Sequence, residues 1–202
     1  MSEKSEIFEI TYRDYISRIA GMNLKQRADR LGASFTGNSL LIPFYGNSYR
    51  VSEAGVFDGD GNRANFAVSV VLCRYILQCP EQVPLNGQWV TYREFKDAGP
   101  LVGYFTANTH KTIENAFGGN PAALESAGKP LSGVPYAENP TCDLSLLFTM
   151  LPRIPVLLGF NDRDDEFPAQ CTILFRESAE AYLDMESLSI AGTYLAGYLI
   201  KV

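Results

Sequence analysis

The densest chemistry in the chain lies in Asp162-Arg163-Asp164-Asp165-Glu166, four carboxylates and one guanidinium within five residues. Carboxylate oxygens are hard ligands for magnesium or calcium, and crowding raises the pKa of whichever carboxyl is forced to keep its proton. Asp162, Asp164, Asp165 and Glu166 are therefore candidate metal ligands, and a small metal-dependent enzyme centred on 162–166 is one functional expectation. A solvated loop in which Arg163 offsets the repulsion is the competing one, because charge runs usually face water. The flanks Leu151–Phe160 and Phe167–Phe175 are apolar. Burial of both, Phe167 included, would hold the loop at a fixed place on the surface.

His110 is the only histidine. It stands near the start of a predicted helix, where the helix terminus lowers its pKa and favours the neutral ring that a general base or metal ligand needs. It has no partner in the local sequence, so a capping or surface role competes with that one. Asp58-Gly59-Asp60-Gly61-Asn62 alternates oxygen ligands like a calcium loop. The pattern then fails, with Arg63 where the sharp turn needs glycine and Ser69 where a bidentate glutamate belongs. A hairpin turn explains these glycines more simply. Phe117-Gly118-Gly119-Asn120-Pro121 lacks the phosphate-loop lysine and the dinucleotide fingerprint, and no G-x-S-x-G elbow is present. Cys73, Cys79, Cys142 and Cys171 are scattered and form no C-x-x-C pair. Free buried thiols are expected, rather than a zinc site, a cluster or a disulfide framework. No motif assigns a cofactor.

The elements that must position these residues follow from periodicity. Phe8, Tyr12, Tyr15, Ile16 and Ile19 share one helical face, Gly21 interrupts, and Asn23 caps a second helix that Gly32 ends. Ser39–Phe44, Tyr49–Val51 and Gly55–Phe57 read as a small meander, with Pro43 placing the first strand towards an edge. Ala64–Leu77 returns to helix and Gln88–Tyr92 to strand. Thr109–Phe117 and Pro121–Ala127 are helices, the second opened by an Asn120 cap with proline at its first position. Asp143–Met150 and Ile154–Phe160 form a hairpin around Pro152-Arg153. Cys171–Phe175 is too short to assign, Ala179–Leu183 reads as helical, and Glu186–Leu199 closes the chain as a helix. Helices at both ends with strands grouped between them predict an α+β fold, with a mixed or mainly antiparallel sheet, in a single domain over 1–202.

A chain of 202 residues, 46% hydrophobic and 20% charged, can bury a core without metal or disulfide support. Its formal net charge of −6, with no basic run, argues against nucleic acid and against an anionic membrane surface. The charged amino terminus lacks a signal-peptide core, and no apolar run reaches membrane-spanning length, so a cytoplasmic location is expected.

Several blocks taken in order resemble domain of unknown function family 3786. They are Tyr12 to Leu31, then Leu41-Ile42-Pro43-Phe44 with Tyr49-Arg50-Val51, then Trp89-Val90-Thr91-Tyr92-Arg93-Glu94. Ala116-Phe117-Gly118-Gly119-Asn120-Pro121 follows, and then Leu151-Pro152-Arg153-Ile154-Pro155 leading to Asp165-Glu166-Phe167-Pro168-Ala169. Ile173-Leu174-Phe175 comes last, with Ala179 and Tyr182-Leu183. The resemblance implies an origin in anaerobic bacteria or archaea. Some relatives add a cysteine-rich iron–sulfur module like that of corrinoid iron–sulfur proteins, which this chain lacks. Relatives tend to carry tryptophan just before the acidic loop, where Phe160-Asn161 stands here. The family offers no catalytic residues to transfer. The leading expectation is an accessory or binding domain for a protein partner or small-molecule cofactor in anaerobic redox or one-carbon metabolism.

Overall fold

A computed structural model of the chain describes residues 3–139 and 141–201. The opening helix, α1 (Glu3–Ala20), buries Tyr12 and Ile19. Asn23 then caps α2 (Leu24–Leu31), its side chain accepting the Gln26 N–H at 3.1 Å. Gly32 ends α2 in the left-handed region at φ 64°, where only glycine is unstrained.

A four-stranded antiparallel meander follows in chain order: β1 (Ser34–Thr36), β2 (Ser39–Phe44), β3 (Asn47–Ser52) and β4 (Gly55–Phe57). β1 was not anticipated, and β2 is an inner strand rather than an edge. Pro43 is tolerated there because β1 pairs only with Ser39–Leu41, so the missing N–H lies beyond its reach. The β2–β3 turn holds Tyr45 at φ 45° and Gly46 at φ 80°, the paired positive angles of a tight hairpin. A left-handed tyrosine costs about 1–2 kcal/mol. Tyr45 offsets this by full burial and by donating its hydroxyl to Ala191 O at 3.1 Å, while its N–H donates to Met150 O.

Next comes α3 (Phe66–Leu77), capped by Asn65 and buried on most of its surface. β5 (Trp89–Thr91) is followed by a 3-10 turn at Tyr92–Glu94 and by two helices, α4 (Val102–Asn108) and α5 (His110–Phe117). α4 was not anticipated. α6 (Pro121–Gly128) starts from the expected Asn120 cap, its side chain accepting the Ala123 N–H. β6 (Val134–Pro135), β7 (Leu144–Leu151), β8 (Ile154–Asn161) and β9 (Gln170–Arg176) complete a second antiparallel sheet of order β5-β9-β8-β7-β6. The β7–β8 hairpin turns at Pro152-Arg153 as expected. The segment too short to assign is thus an inner strand, and the helical turn expected at Ala179–Leu183 is a 3-10 turn over Glu177–Ala181.

The last helix, α7 (Met185–Leu199), packs against α3, and Asp184 at its cap pairs with Arg74 of α3. One contiguous core joins the inner face of the first sheet (Leu40, Ile42, Val51) to the second sheet (Phe148, Leu158, Phe175) and to these helices. The fold is α+β. Among the described residues, no helix is long and apolar enough to cross a membrane.

Candidate functional site

The acidic loop joins β8 to β9, and one oxygen each of Asp162 and Asp164 is engaged by backbone amides. Asp162 Oδ1 accepts the N–H groups of Gly119, at 2.5 Å, and Arg163, at 2.8 Å. Asp164 Oδ1 accepts those of Glu166 and Phe167 at 2.8 and 2.7 Å, which holds its pKa below the usual carboxylate range. Asp165 and Glu166 are exposed and make no side-chain hydrogen bond among the described residues. Arg163 lies over Gly119, where a Cβ would come within 2.6 Å of the guanidinium, so the Gly118-Gly119 pair is a seat for this loop. No three His, Cys, Asp or Glu side chains come together as a metal site among the described residues. Phe167 was expected to be buried and is 60% exposed. The bonds to Asp164 close the turn without it, and Ala169 is the first residue after the loop to enter the core.

His110 has a partner that sequence spacing did not reveal. β5 pairs with β9 only at Leu174, Phe175 and Arg176, leaving the earlier part of that edge open. α5 lies along the open stretch and replaces the missing strand with two side chains one helical turn apart. His110 Nε2 accepts the Ile173 N–H at 3.2 Å, and Glu114 Oε1 accepts the Cys171 N–H at 3.0 Å. Buried backbone donors need such partners, so the pair finishes the ladder. Glu114 Oε2 also meets Lys111 Nζ at 2.6 Å.

The bond to Ile173 fixes the state of the ring. A nitrogen that accepts an N–H carries no proton, so the neutral imidazole is protonated at Nδ1. Burial lowers the pKa of His110 below its usual value; Glu114 opposes that shift and Lys111 adds to it. Phe105 stands edge-on to the imidazole at 5.4 Å and stacks on Tyr92 at 4.3 Å, which locks the ring in place. The bend between α4 and α5 at Thr109, whose hydroxyl donates to Phe105 O, sets this approach.

Beside the ring is a cavity of about 240 Å³, in the notch where β5 ends and the chain leaves β9. Arg93, His110, Thr91, Thr106 and Thr172 supply its polar lining, with Val102 and Phe105 beneath. Arg93 makes no ion pair and no side-chain hydrogen bond among the described residues. Four other concavities, of about 290 to 580 Å³, are lined elsewhere, and none includes the acidic loop. One of these, about 570 Å³, covers the outer face of the first sheet, where Leu41, Arg50 and Phe57 form one cross-strand row.

All four cysteines are free. Cys73 and Cys171 are buried, and burial pushes both thiols up, that of Cys73 to about 12. Cys79 and Cys142 are half-buried rather than buried as expected.

Two sheets, a helical layer and a small donor-lined notch thus define an α+β protein with one polar pocket beside its only histidine. The family model Domain of unknown function (DUF3786) matches residues 23–198, and the chain belongs to that family. α1 precedes the matched stretch. No curated protein and no solved structure matches the chain.

Proposed function

We propose that the chain is a small-molecule binding domain whose ligand sits in the notch between β5, α4 and α5. One observation carries this reading: His110 is held by Ile173 so that its remaining proton, on Nδ1, has no acceptor among the described residues, and the same ring lines the cavity. A rigid donor beside an apolar floor is the usual make-up of a ligand pocket. We place this binding in anaerobic redox or one-carbon metabolism on the family resemblance. A protein partner has no comparable support. The row Leu41–Arg50–Phe57 is an open sheet face, and nothing in the structure says what covers it. The alternative, a metal-dependent enzyme centred on 162–166, would need its carboxylates to converge, and among the described residues no three of them do.

The test uses the single imidazole as reporter. A panel of neutral, anionic and cationic small molecules is added to labelled protein, and the ring signals are followed by NMR. The reading predicts that at least one class moves them saturably and raises the melting temperature through linkage. It also predicts that Thr106→Phe, which fills the notch, removes the response. Ring signals that stay fixed across the panel would contradict it.

A further inference from the structure

The polar lining of the notch restricts what it can hold. Arg93 offers a planar fork of donors and no acceptor. His110 offers one donor, Nδ1–H, because Nε2 is engaged by Ile173. The hydroxyls of Thr106 and Thr172 can turn to either role. Among the described residues, no carboxylate lines the cavity. The two nearest in sequence are already occupied. Glu94 Oε2 accepts the N–H of Thr91 at 2.6 Å and its hydroxyl at 2.8 Å. Glu114 bridges the Cys171 N–H and Lys111. The notch is therefore donor-rich and cationic on a chain whose formal net charge is −6. A cationic ligand would meet Arg93 unshielded, and a neutral one would leave the fork without a partner. The volume, about 240 Å³, suits a small metabolite rather than a dinucleotide.

Resting on the pocket reading above, we propose that the notch binds small oxyanions, a carboxylate or a phosphate group, with the Arg93 guanidinium and the His110 Nδ1–H as its two donors. The guanidinium supplies charge and a two-pronged hydrogen bond. The imidazole supplies direction, because its plane is set by Phe105 and by the bond to β9. The chemistry is recognition alone: no bond in the ligand is made or broken.

Full-length protein is titrated with inorganic phosphate and, separately, with acetate. Sodium chloride at matched ionic strength is the control, because exposed charges are screened by salt alone. The readout is the ¹⁵N signal of the only imidazole. The proposal predicts a saturable shift with at least one oxyanion, none with chloride, and an affinity at least about tenfold weaker in Arg93→Gln. Arg93 is exposed, so this variant is expected to fold, and its melting temperature confirms that. Saturation by phosphate alone or acetate alone assigns the source of the group, and saturation by both assigns the oxyanion class. Failure of both anions to saturate, or equal affinity in Arg93→Gln, overturns the proposal. If neutral molecules bind while anions do not, the oxyanion class fails and the pocket reading survives.

Discussion

His110 and Ile173 are joined by one hydrogen bond, in which the backbone N–H of an inner strand donates to the ring Nε2 at 3.2 Å. A helix thereby closes the edge that β5 leaves open, and the ring is held neutral. Protonation of Nε2 would set two donors against each other.

The first prediction concerns pH. Burial lowers the folded pKa of His110, whereas an unfolded histidine titrates near 6.5. Between these values the unfolded chain binds more protons, so stability rises with pH there. The contribution is complete above about pH 6.5 and is lost as pH falls towards the lowered folded value. Melting temperatures from pH 7.5 to 5 should fall more steeply for the wild type than for His110→Leu, which should be less stable at the upper end. Parallel curves would show that the ring does not titrate through this bond.

A second prediction separates the two roles of Glu114. Glu114→Ala leaves the Cys171 N–H without its acceptor, which typically costs about 1–3 kcal/mol. Glu114→Gln keeps an acceptor oxygen and should recover most of that loss. Lys111→Ala removes only an exposed partner and should cost less than about 1 kcal/mol. Chemical denaturation of the three variants checks the order, and a loss in Lys111→Ala equal to that in Glu114→Ala would mean the ion pair dominates.

The third prediction reverses an expectation from sequence. Phe167 is exposed, so Phe167→Ala should leave stability within about 0.5 kcal/mol, as surface changes usually do. Asp164→Ala removes the acceptor for two loop amides and should lower the melting temperature more than Phe167→Ala. Because no three carboxylates of the loop converge among the described residues, purified protein should contain far less than one divalent ion per chain by elemental analysis. A stoichiometric ion lost from Asp165→Asn/Glu166→Gln protein would revive the metal-dependent alternative.

The thiols give a fourth prediction. Cys73 and Cys171 should resist maleimide in native protein at pH 8, while the half-buried Cys79 and Cys142 label first. Denaturant should remove the difference. Rapid labelling of Cys171 would mean that α5 opens away from β9.

The sequence showed most elements whose punctuation is local. Asn23, Gly32 and Asn120 mark helix ends through bonds to residues three or four positions away, and Pro152-Arg153 marks its hairpin for the same reason. β1 and α4 escaped because they are only three and seven residues long, and β9 because the charged loop before it leaves its start unmarked. The site was hidden more deeply. His110 and Glu114 sit one turn apart on a predicted helix, which was readable. Their value comes from register against Cys171 and Ile173, about sixty positions later, and periodicity carries no such information. Arg93 stands in the Trp89-to-Glu94 block that carries the family resemblance, yet its lack of a partner among the described residues is a fact of three dimensions. The acidic run drew attention through composition, which does not reveal that backbone amides hold Asp162 and Asp164 or that the carboxylates fail to converge.

The most direct measurement is the tautomer of the only imidazole. A long-range ¹H–¹⁵N spectrum at pH 7.5 distinguishes the protonated nitrogen from the bare one. The account predicts a single neutral form with the proton on Nδ1 and with Nε2 shifted as a hydrogen-bond acceptor. A ring protonated at Nε2, or a mixture exchanging as in free histidine, would contradict it, because the link to β9 and the donor in the notch would then both be absent.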